Sequence, residues 1–381
     1  MSAAGLTAFV RGAYVPESIA LVIVGALAGA LAPAARSLIS ADLVLLVFVP
    51  GLVFDAAFDL DWRVARTLLP ALIGLAVPGV LISAAAVAVG LNALAGIPFG
   101  LAFVIGAITS ATDPVAVVSI LTRLRMPATL RTLIEGESLL NDGTGLVLVA
   151  LAVTAVSRGL DVSTSAAEFV VTIVASIALG AAAGIAGAMA VRVARHPAVA
   201  FGISVPLAYA TYAITAAVGL SGVLATVMTA AVLGNVLRRG WADTVLAHQL
   251  DRSWAVIALV LSALTFLSIG ISVDLPSLGA SAAAIAVGVL AVVGARAICV
   301  YVPAAVLGAP RGWALVTFWS GLRGAIAFAA ALALPASLAQ RSELQTVSFG
   351  IVLVTLVFFG TTAPLVIRRA LGGATVESEV V

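Results

Sequence analysis

One stretch of the chain decides its fold: residues 129–157, which read TLRTLIEGESLLNDGTGLVLVALAVTAVS. The stretch is long enough to cross a bilayer, because a spanning helix needs about 20 mainly apolar residues. It nevertheless carries Glu135, Glu137 and Asp142. A charge at the bilayer centre costs about 2.5–3.5 kcal/mol on insertion scales, so carboxylates at this depth indicate function. The stretch therefore predicts a membrane helix that contributes to a functional site.

The rest of the chain has the composition of a membrane protein. Of its 381 residues, 63% are hydrophobic and 9% are charged, whereas a soluble domain averages about 45–50% and about 25%. This composition excludes a soluble globular protein, a disordered chain and a nucleic-acid-binding module. The apolar runs are long and continuous, unlike the short alternating segments of a membrane β-barrel. We predict one all-helical, polytopic membrane domain over residues 1–381, with about twelve transmembrane helices. The predicted spans are 17–35, 40–57, 68–94, 97–122, 129–157, 166–191, 199–219, 222–237, 253–271, 278–307, 311–335 and 346–367.

Arginine placement predicts the orientation. All 19 basic residues are arginine, and cytoplasmic loops carry the excess of positive charge. With twelve spans, the face that carries the two termini, here called the arginine-rich face, has thirteen arginines. The arginine-poor face has only Arg36, Arg158 and Arg341. We therefore expect a cell (inner) membrane protein with both termini in the cytoplasm and no cleaved signal peptide. The thirteen are Arg11, Arg63, Arg66, Arg123, Arg125, Arg192, Arg195, Arg238, Arg239, Arg252, Arg311, Arg368 and Arg369.

Small residues predict how the helices pack. Gly25 and Gly29, and likewise Gly180 and Gly184, are four residues apart. This spacing lets two helix backbones approach closely. We expect these pairs to pack inside the bundle rather than at a dimer interface.

The fourth span is predicted to be interrupted at residues 109–114, TSATDP. Pro114 lacks an N–H and disfavours helix at Asp113. A break at membrane depth requires that the freed backbone groups meet protein or a wet cavity. Freed carbonyls beside a carboxylate suit a hard cation, although a proline kink satisfied by Thr and Ser hydroxyls is the alternative.

The fifth span places its polar residues on neighbouring stripes. Ser138 and Asp142 are i,i+4 neighbours on one face, and Glu137 and Asn141 form the adjacent stripe. A carboxylate one turn from a hydroxyl can bind a dehydrated cation or a proton. Burial that raises the carboxylate pKa would let the two compete. A polar helix face satisfied within itself is the alternative.

The eleventh span carries an arginine between two glycines, in residues 320–325, SGLRGA. The glycines predict a second weakened helix, and Arg323 needs a carboxylate partner at this depth. We predict Glu137 as that partner, in a structural ion pair. Spans 4 and 11 are seven apart, so spans 1–5 and 8–12 are predicted to be two inverted repeats. Interrupted helices at corresponding positions point to a transport site at the midplane.

Two further charged residues and the single cysteine lie in or near the predicted spans. Asp55 lies near the cytoplasmic end of the second span and either borders a cytoplasmic funnel or reaches headgroup water. Arg296, in the middle of the tenth span, is predicted to be a supporting counter-charge for a buried carboxylate or a helix C-terminus. Cys299 is the single cysteine, so no disulfide framework or cysteine metal cluster is expected.

Three motifs in matching order resemble a known family. They are ATDP at residues 111–114, GESLLNDG at 136–143 and GLRGA at 321–325. Together they resemble the electroneutral cation/proton antiporters, both the bacterial NhaP-type sodium/proton antiporters and the animal sodium/proton exchangers. The resemblance implies a homodimer and an NhaA/NhaP-like fold with crossed, discontinuous helices. Many NhaP-type members have thirteen spans, and the span that is not counted here is N-terminal.

The resemblance also implies roles for residues. Asp142 would bind Na⁺ and H⁺ alternately, and Asp113, Ser138 and the backbone at Thr112 would complete the ion site. Asn141 matches the family's Asn-Asp pair, in contrast to the Asp-Asp pair of electrogenic relatives. Glu137 and Arg323 match a structural ion pair. Asp55 stands where NhaP-type proteins carry a glutamate.

The resulting hypothesis is a secondary transporter, not an enzyme, that exchanges Na⁺ or Li⁺ for H⁺ in a 1:1 ratio and serves pH homeostasis. A core subdomain (about 68–157 and 278–370) would move against a dimerisation subdomain (about 1–67 and 166–271). The expected partners are monovalent cations, protons, lipid and a second copy of the chain, with no cofactor and no nucleic acid. K⁺/H⁺ exchange on the same scaffold is the nearest alternative. A passive cation channel and an intramembrane hydrolase using Asp113 and Asp142 are remote ones.

Overall fold

The computed structural model describes residues 17–113, 127–159, 162–194, 196–241 and 244–371. Pro114, Arg11, Arg123, Arg125 and Arg195, named above, lie outside the described residues. Within the described ranges the secondary structure is helical and contains no strand. The helices are α1 Glu17–Leu31, α2 Leu43–Phe58, α3 Leu69–Ala95, α4 Phe99–Ile108, α5 Ala128–Arg158, α6 Val162–Val193, α7 Pro197–Ala217, α8 Gly222–Val236, α9 Thr244–Ile271, α10 Ala282–Val306, α11a Arg311–Trp319, α11b Ala325–Leu332 and α12 Arg341–Leu371.

Each predicted span overlaps one of these helices, and the eleventh overlaps two. Seven of the described helices are long and apolar enough to cross a membrane, whereas α1, α2 and α4 are shorter apolar helices. The total of twelve crossings stays a prediction. The all-helical class and the interruption predicted in span 11 are confirmed. In span 4, α4 ends at Ile108 and residues 109–113 are not helical, and the rest of the predicted span lies outside the described residues.

Helix packing follows the predicted relation between two repeats. α1 packs on α9, and α2 packs on α8. If the second repeat corresponds to the first shifted by seven spans, span 1 corresponds to span 8 and span 2 to span 9. The pair α1 and α9 in one repeat order then corresponds to the pair α8 and α2 in the other. In the same way span 3 corresponds to span 10, and α3 packs on α10. Spans 4 and 5 correspond to spans 11 and 12, and the contact of α4 with α12 is matched by the contact of α11b with α5. The contacts are therefore those of a duplicated arrangement.

The two interruptions cross and satisfy each other. α4 ends at Ile108 and residues 109–113 are not helical, while residues 320–324 separate α11a from α11b. The backbone N–H of Asp113 donates to the carbonyl of Leu322 at 2.8 Å. The hydroxyls of Thr109 and Ser110 donate to carbonyls of the preceding turn at 2.8 and 2.7 Å. Polar backbone at this depth is thus paired with protein, as the bilayer requires.

Buried apolar side chains form two clusters that place this crossing between them. One cluster is drawn mainly from α3, α4, α5, α10, α11b and the first half of α12. The other is drawn mainly from α1, α2, α7, α8 and α9, with side chains added from α5 and α12. The second cluster includes Ala111 and Leu322, which flank the crossing. The crossing therefore lies where two packed bodies meet.

The glycine pairs pack inside the bundle, as predicted. Gly25 and Gly29 lie against backbone carbonyls of α9, at Leu267 and Ile271. Gly180 and Gly184 lie in the same way against α8, at Ala225 and Thr229. In each pair a Cβ atom would overlap backbone, so the glycines allow helix axes to approach closely.

We predict that Gly270→Val destabilises the protein. A Cβ at Gly270 of α9 would overlap the carbonyl oxygen of Val22 in α1, and overpacking costs about 1–3 kcal/mol. Thermal unfolding in detergent measures the loss as a lowered midpoint. The control is Gly202→Ala in α7, where a Cβ meets no atom within 4 Å. Equal midpoints for the two variants would contradict the role assigned to Gly270.

Candidate ion-binding site

The site is built on the middle of α5. This helix carries Glu137, Ser138, Asn141 and Asp142 within two turns. Glu137, Ser138 and Asn141 are 2–3% exposed, and Asp142 is half-buried. The predicted neighbours Ser138 and Asp142 therefore lie on one face of one helix, close to the crossing.

Asn141 fastens the non-helical break after α4 to α5. Its side-chain amide donates to the Thr112 hydroxyl at 2.6 Å and accepts the Thr112 backbone N–H at 3.3 Å. The Ser138 hydroxyl donates to the Thr112 carbonyl. These three hydrogen bonds form a clamp, here called the Thr112 clamp, that fixes the backbone beside Asp113.

The clamp brings the predicted ligands together. Asp113 and Asp142 lie near enough for their charges to interact. Thr112 precedes Asp113 in the chain, and Ser138 lies one helical turn before Asp142, so the clamp joins the two segments that carry these carboxylates. The donors are carboxylate, hydroxyl and carbonyl oxygens, which suit hard cations. The described residues contain no group of three His, Cys, Asp or Glu side chains that could hold a metal ion. The arrangement thus offers mixed oxygen donors around two carboxylates.

Glu137 pairs with Arg296, so the predicted Glu137–Arg323 ion pair is wrong. Arg296 of α10 donates to both carboxylate oxygens of Glu137, at 2.5 and 3.0 Å. It also donates to the carbonyl of Thr317 at the end of α11a, at 2.6 Å. Asn141 donates to the same carboxylate at 3.1 Å. The bidentate geometry matches the planar guanidinium, and it leaves little acceptor capacity for a second arginine.

Arg323 has a different environment. Its side chain is 2% exposed and donates to the carbonyl of Gly321 at 3.3 Å. Its charge interacts with Glu137 and with Asp142. Within the described residues it has no carboxylate within 4 Å. Arg323 is therefore a buried positive charge near the ion site rather than half of a closed ion pair.

Two glycines beside Arg323 have partners that the sequence did not indicate. A Cβ at Gly324 would overlap the carboxylate of Asp113, and a Cβ at Gly321 would lie 2.8 Å from Nε of Arg296. The only indication of these contacts in the sequence is that both glycines flank an arginine. Gly324 thus admits the Asp113 side chain to the crossing.

Asp55 lies in a carboxylate cluster apart from the crossing. Its charge interacts with Asp59 and Asp251, and Arg238 approaches Asp59 at 3.9 Å. Asp59 follows the end of α2; partial burial and then a hydrogen bond with Asp251 raise its pKa to about 7. None of the described contacts of Asp55 reaches Asp113 or Asp142. Its position supports the funnel alternative on the arginine-rich face.

A helical bundle in which two interrupted helices cross beside paired carboxylates has the architecture of an ion transporter. A family model described as "Sodium/hydrogen exchanger, transmembrane" matches residues 1–369. The chain belongs to this family of membrane transporters, as its motifs predicted.

Relatives and solved structures agree with the assignment. The Na⁺/H⁺ antiporter ApNhaP of Aphanothece halophytica is 31% identical, with 93% of this chain and 70% of the relative covered. The low-affinity Na⁺/H⁺ antiporter NhaS1 of Synechocystis is 30% identical, over 93% and 69%. A structure of the sodium proton antiporter MjNhaP1 from Methanocaldococcus jannaschii at pH 8 has a TM-score of 0.73 at 18% identity, over 93% and 98%. The fold is therefore that of MjNhaP1.

We predict that Glu137 couples energetically to Arg296 more than to Arg323. Breaking a buried pair on one side costs about 3–5 kcal/mol, so Glu137→Gln and Arg296→Gln should each destabilise the protein strongly. The double variant should lose less than the sum, with a coupling of about 0.5–3 kcal/mol. Chemical unfolding in detergent measures the free energy of unfolding of the wild type, of each single variant and of the double variant. The matched cycle with Arg323→Gln is the control, and a larger coupling there would restore the pairing predicted from sequence.

Proposed function

We propose that the protein exchanges Na⁺ for H⁺ across the membrane, with Asp142 as the group that binds each in turn. The observation that carries the proposal is the clamp that sets the Thr112 backbone, Asp113 and Ser138 beside Asp142. Membership of the sodium/hydrogen exchanger family supports the same reaction. Li⁺ is expected to replace Na⁺, and no cofactor is required.

Competition between the two ions follows from the donor set. The Asp142 carboxylate is the charged group that either a cation or a proton neutralises. Asp113 and Ser138, with the carbonyl and hydroxyl of Thr112, provide the further oxygens that replace water around a cation. One carboxylate that accepts either ion, but not both together, couples their fluxes.

The structure around Asn141 supports a 1:1, electroneutral exchange. Its amide is engaged with Thr112 and Glu137 and does not titrate. Glu137 is neutralised by Arg296. A single carboxylate that changes its occupant in each half-cycle moves one positive charge in each direction.

Alternating access would carry the site between the two faces. The core subdomain, about 68–157 and 278–370, would move against the dimerisation subdomain, about 1–67 and 166–271, in a homodimer. An ionised Asp142 without an ion resists crossing the apolar seam, because an uncompensated charge in the membrane is costly. Movement is therefore favoured only when Na⁺ or H⁺ is bound.

The proposal also includes the orientation of the protein in the membrane and the path by which cations approach the ion site. The arginine-rich face is placed in the cytoplasm of an inner-membrane protein that serves pH homeostasis. The carboxylates of Asp55, Asp59 and Asp251 lie on this face and would attract cations to the cytoplasmic approach.

We predict that Asp142→Ala abolishes exchange, because the variant lacks the group that holds either ion. The measurement is collapse of a pH gradient in proteoliposomes on addition of Li⁺, Na⁺ or K⁺. Asp42→Asn, an exposed aspartate just before α2, is the control and should behave as wild type. Undiminished exchange in Asp142→Ala would overturn the assignment. A wild type that responds to K⁺ alone would replace Na⁺ by K⁺ as the substrate.

We predict that Gly324→Ala weakens Na⁺ binding, because the added methyl displaces the Asp113 carboxylate. A loss of about 1.4 kcal/mol raises the Na⁺ concentration for half-maximal exchange about tenfold. Gly294→Ala in α10 is the matched control, since a Cβ there meets no atom within 4 Å. An unchanged Na⁺ dependence in a correctly folded Gly324→Ala protein would remove Asp113 from the site.

A further inference from the structure

A cavity of about 190 Å³ opens between the end of α9 and the start of α12. Its lining includes Ser272, Asp274 and Ser277 on one side and Ser342 and Thr346 on the other. These segments belong to the arginine-poor face, because they are next to the loops of Arg36 and Arg341. The cavity is therefore polar at its mouth and lies on the side opposite the Asp55 cluster.

The mouth carries an ion pair between Asp274 and Arg36. The carboxylate of Asp274 accepts hydrogen bonds from Ser277 and, at 3.1 Å, from Arg36. The Ser277 hydroxyl and then the Arg36 guanidinium hold the pKa of Asp274 below its usual value. Arg36 also donates to the carbonyl of Val273 at 2.9 Å. The mouth is thus polar and partly exposed, and the charge of Asp274 is balanced by that of Arg36.

The inner end of the cavity is apolar and closed. Phe328 of α11b is 1% exposed, and its ring lies against that of Phe349 with centroids 5.1 Å apart. Ile269 of α9, 4% exposed, lines the same end. α9 and α11b belong to the two subdomains that are proposed to move against each other. The floor is therefore assembled from both sides of the seam.

Beneath this floor lies the ion site. The backbone N–H of Phe328 donates to the carbonyl of Gly324 at 3.1 Å, so Phe328 is one helical turn from the glycine that contacts the Asp113 carboxylate. The lining of the cavity therefore includes a residue, Phe328, that lies one turn of α11b from the contact between Gly324 and the Asp113 carboxylate. A dry aromatic constriction excludes hydrated ions, as hydrophobic gates do in channels.

We propose that Phe328 is the barrier that separates the ion site from the arginine-poor face, and that the cavity above it is the entrance for cations on that face. The inference rests on the proposed function, because a barrier matters only if an ion passes. It assigns a positioning role to Phe328, which contacts neither ion and acts by excluding water. Movement of α11b against α9 would open the floor at this seam.

Accessibility of introduced thiols tests the barrier. In a Cys299→Ala background, Thr346→Cys at the mouth should react with a membrane-impermeant methanethiosulfonate cation from the arginine-poor face. Phe328→Cys should react about tenfold more slowly, because thiol modification follows exposure. Right-side-out and inside-out vesicles identify the face. Equal rates at the two positions, or modification of Thr346→Cys only from the arginine-rich face, would overturn the proposal.

Flux coupling provides the second readout. Phe328→Ala vesicles should lose a Na⁺ gradient without matching proton counterflow, whereas Phe328→Leu should keep the wild-type ratio of the two fluxes. Phe169→Ala, a buried phenylalanine of α6, is the control for lost packing and should remain coupled. A folded Phe328→Ala protein with wild-type coupling would overturn the barrier. If this variant does not fold, the two thiol rates decide.

The two proposals fail in different ways. Wild-type vesicles that show no exchange of Na⁺ or K⁺ for H⁺ would refute the proposed function. The thiol rates would still report whether Phe328 closes the cavity. Wild-type exchange combined with equal thiol rates would refute the barrier alone.

Discussion

Inside a bilayer, a backbone amide that leaves its helix has no water to bond with, and the arrangement of this protein follows from that constraint. The Asp113 N–H and the Leu322 carbonyl both come from interrupted segments, and each satisfies the other. The hydroxyls of Thr109 and Ser110 bond to the preceding turn, and Asn141 and Ser138 bond to Thr112. Because these groups are paired within protein, the chain can place carboxylates and bare backbone at the same depth. The ion site is a product of how the breaks are satisfied.

The buried charged groups near the crossing differ in how they are paired. One buried carboxylate, Glu137, accepts two hydrogen bonds from Arg296 and a third from Asn141. The charge of Asp142 interacts instead with those of Asp113, Glu137 and Arg323. Arg323 is also buried, and its positive charge interacts with the Asp142 carboxylate over a distance. The structure thus contains a closed ion pair that fastens α5 to α10 and is distinct from the candidate ion ligand Asp142.

Sequence reasoning was strongest where a single physical rule dominates. Helix positions follow from the length of apolar chain that a bilayer requires, and the interruptions follow from Pro114 and from the glycines around Arg323. Helix ends were less accurate. α9 begins at Thr244 rather than near residue 253, because hydropathy stops at His248, Asp251 and Arg252 while the helix continues through them. Hydropathy reports burial in lipid, and helix ends depend on hydrogen bonds.

The sequence predicted which residues belong to the candidate site, but it did not predict correctly which charged residues pair with each other. Asn141, Ser138 and Thr112 could be placed near Asp142 because three of the four are on one helix. The partner predicted for Glu137, Arg323, was wrong, because the true partner Arg296 is 159 residues away and reaches Glu137 only through the docking of α10 on its neighbours. Gly324 was noticed for flexibility, whereas its contact with Asp113 depends on a crossing that only three-dimensional packing supplies.

The Thr112 clamp also limits how this transporter can evolve. Asn141 uses its carbonyl to accept one hydrogen bond and its NH₂ to donate two. An ionised aspartate at the same position could only accept, and it would face the Glu137 carboxylate across the 3.1 Å that the amide now bridges. A change of Asn141 to aspartate would therefore lose the two hydrogen bonds that its NH₂ donates, to Thr112 and to Glu137, while the bond from Ser138 to Thr112 would remain. The residue at this position thus sets both the number of titrating groups beside Asp142 and the number of hydrogen bonds that hold the break to α5.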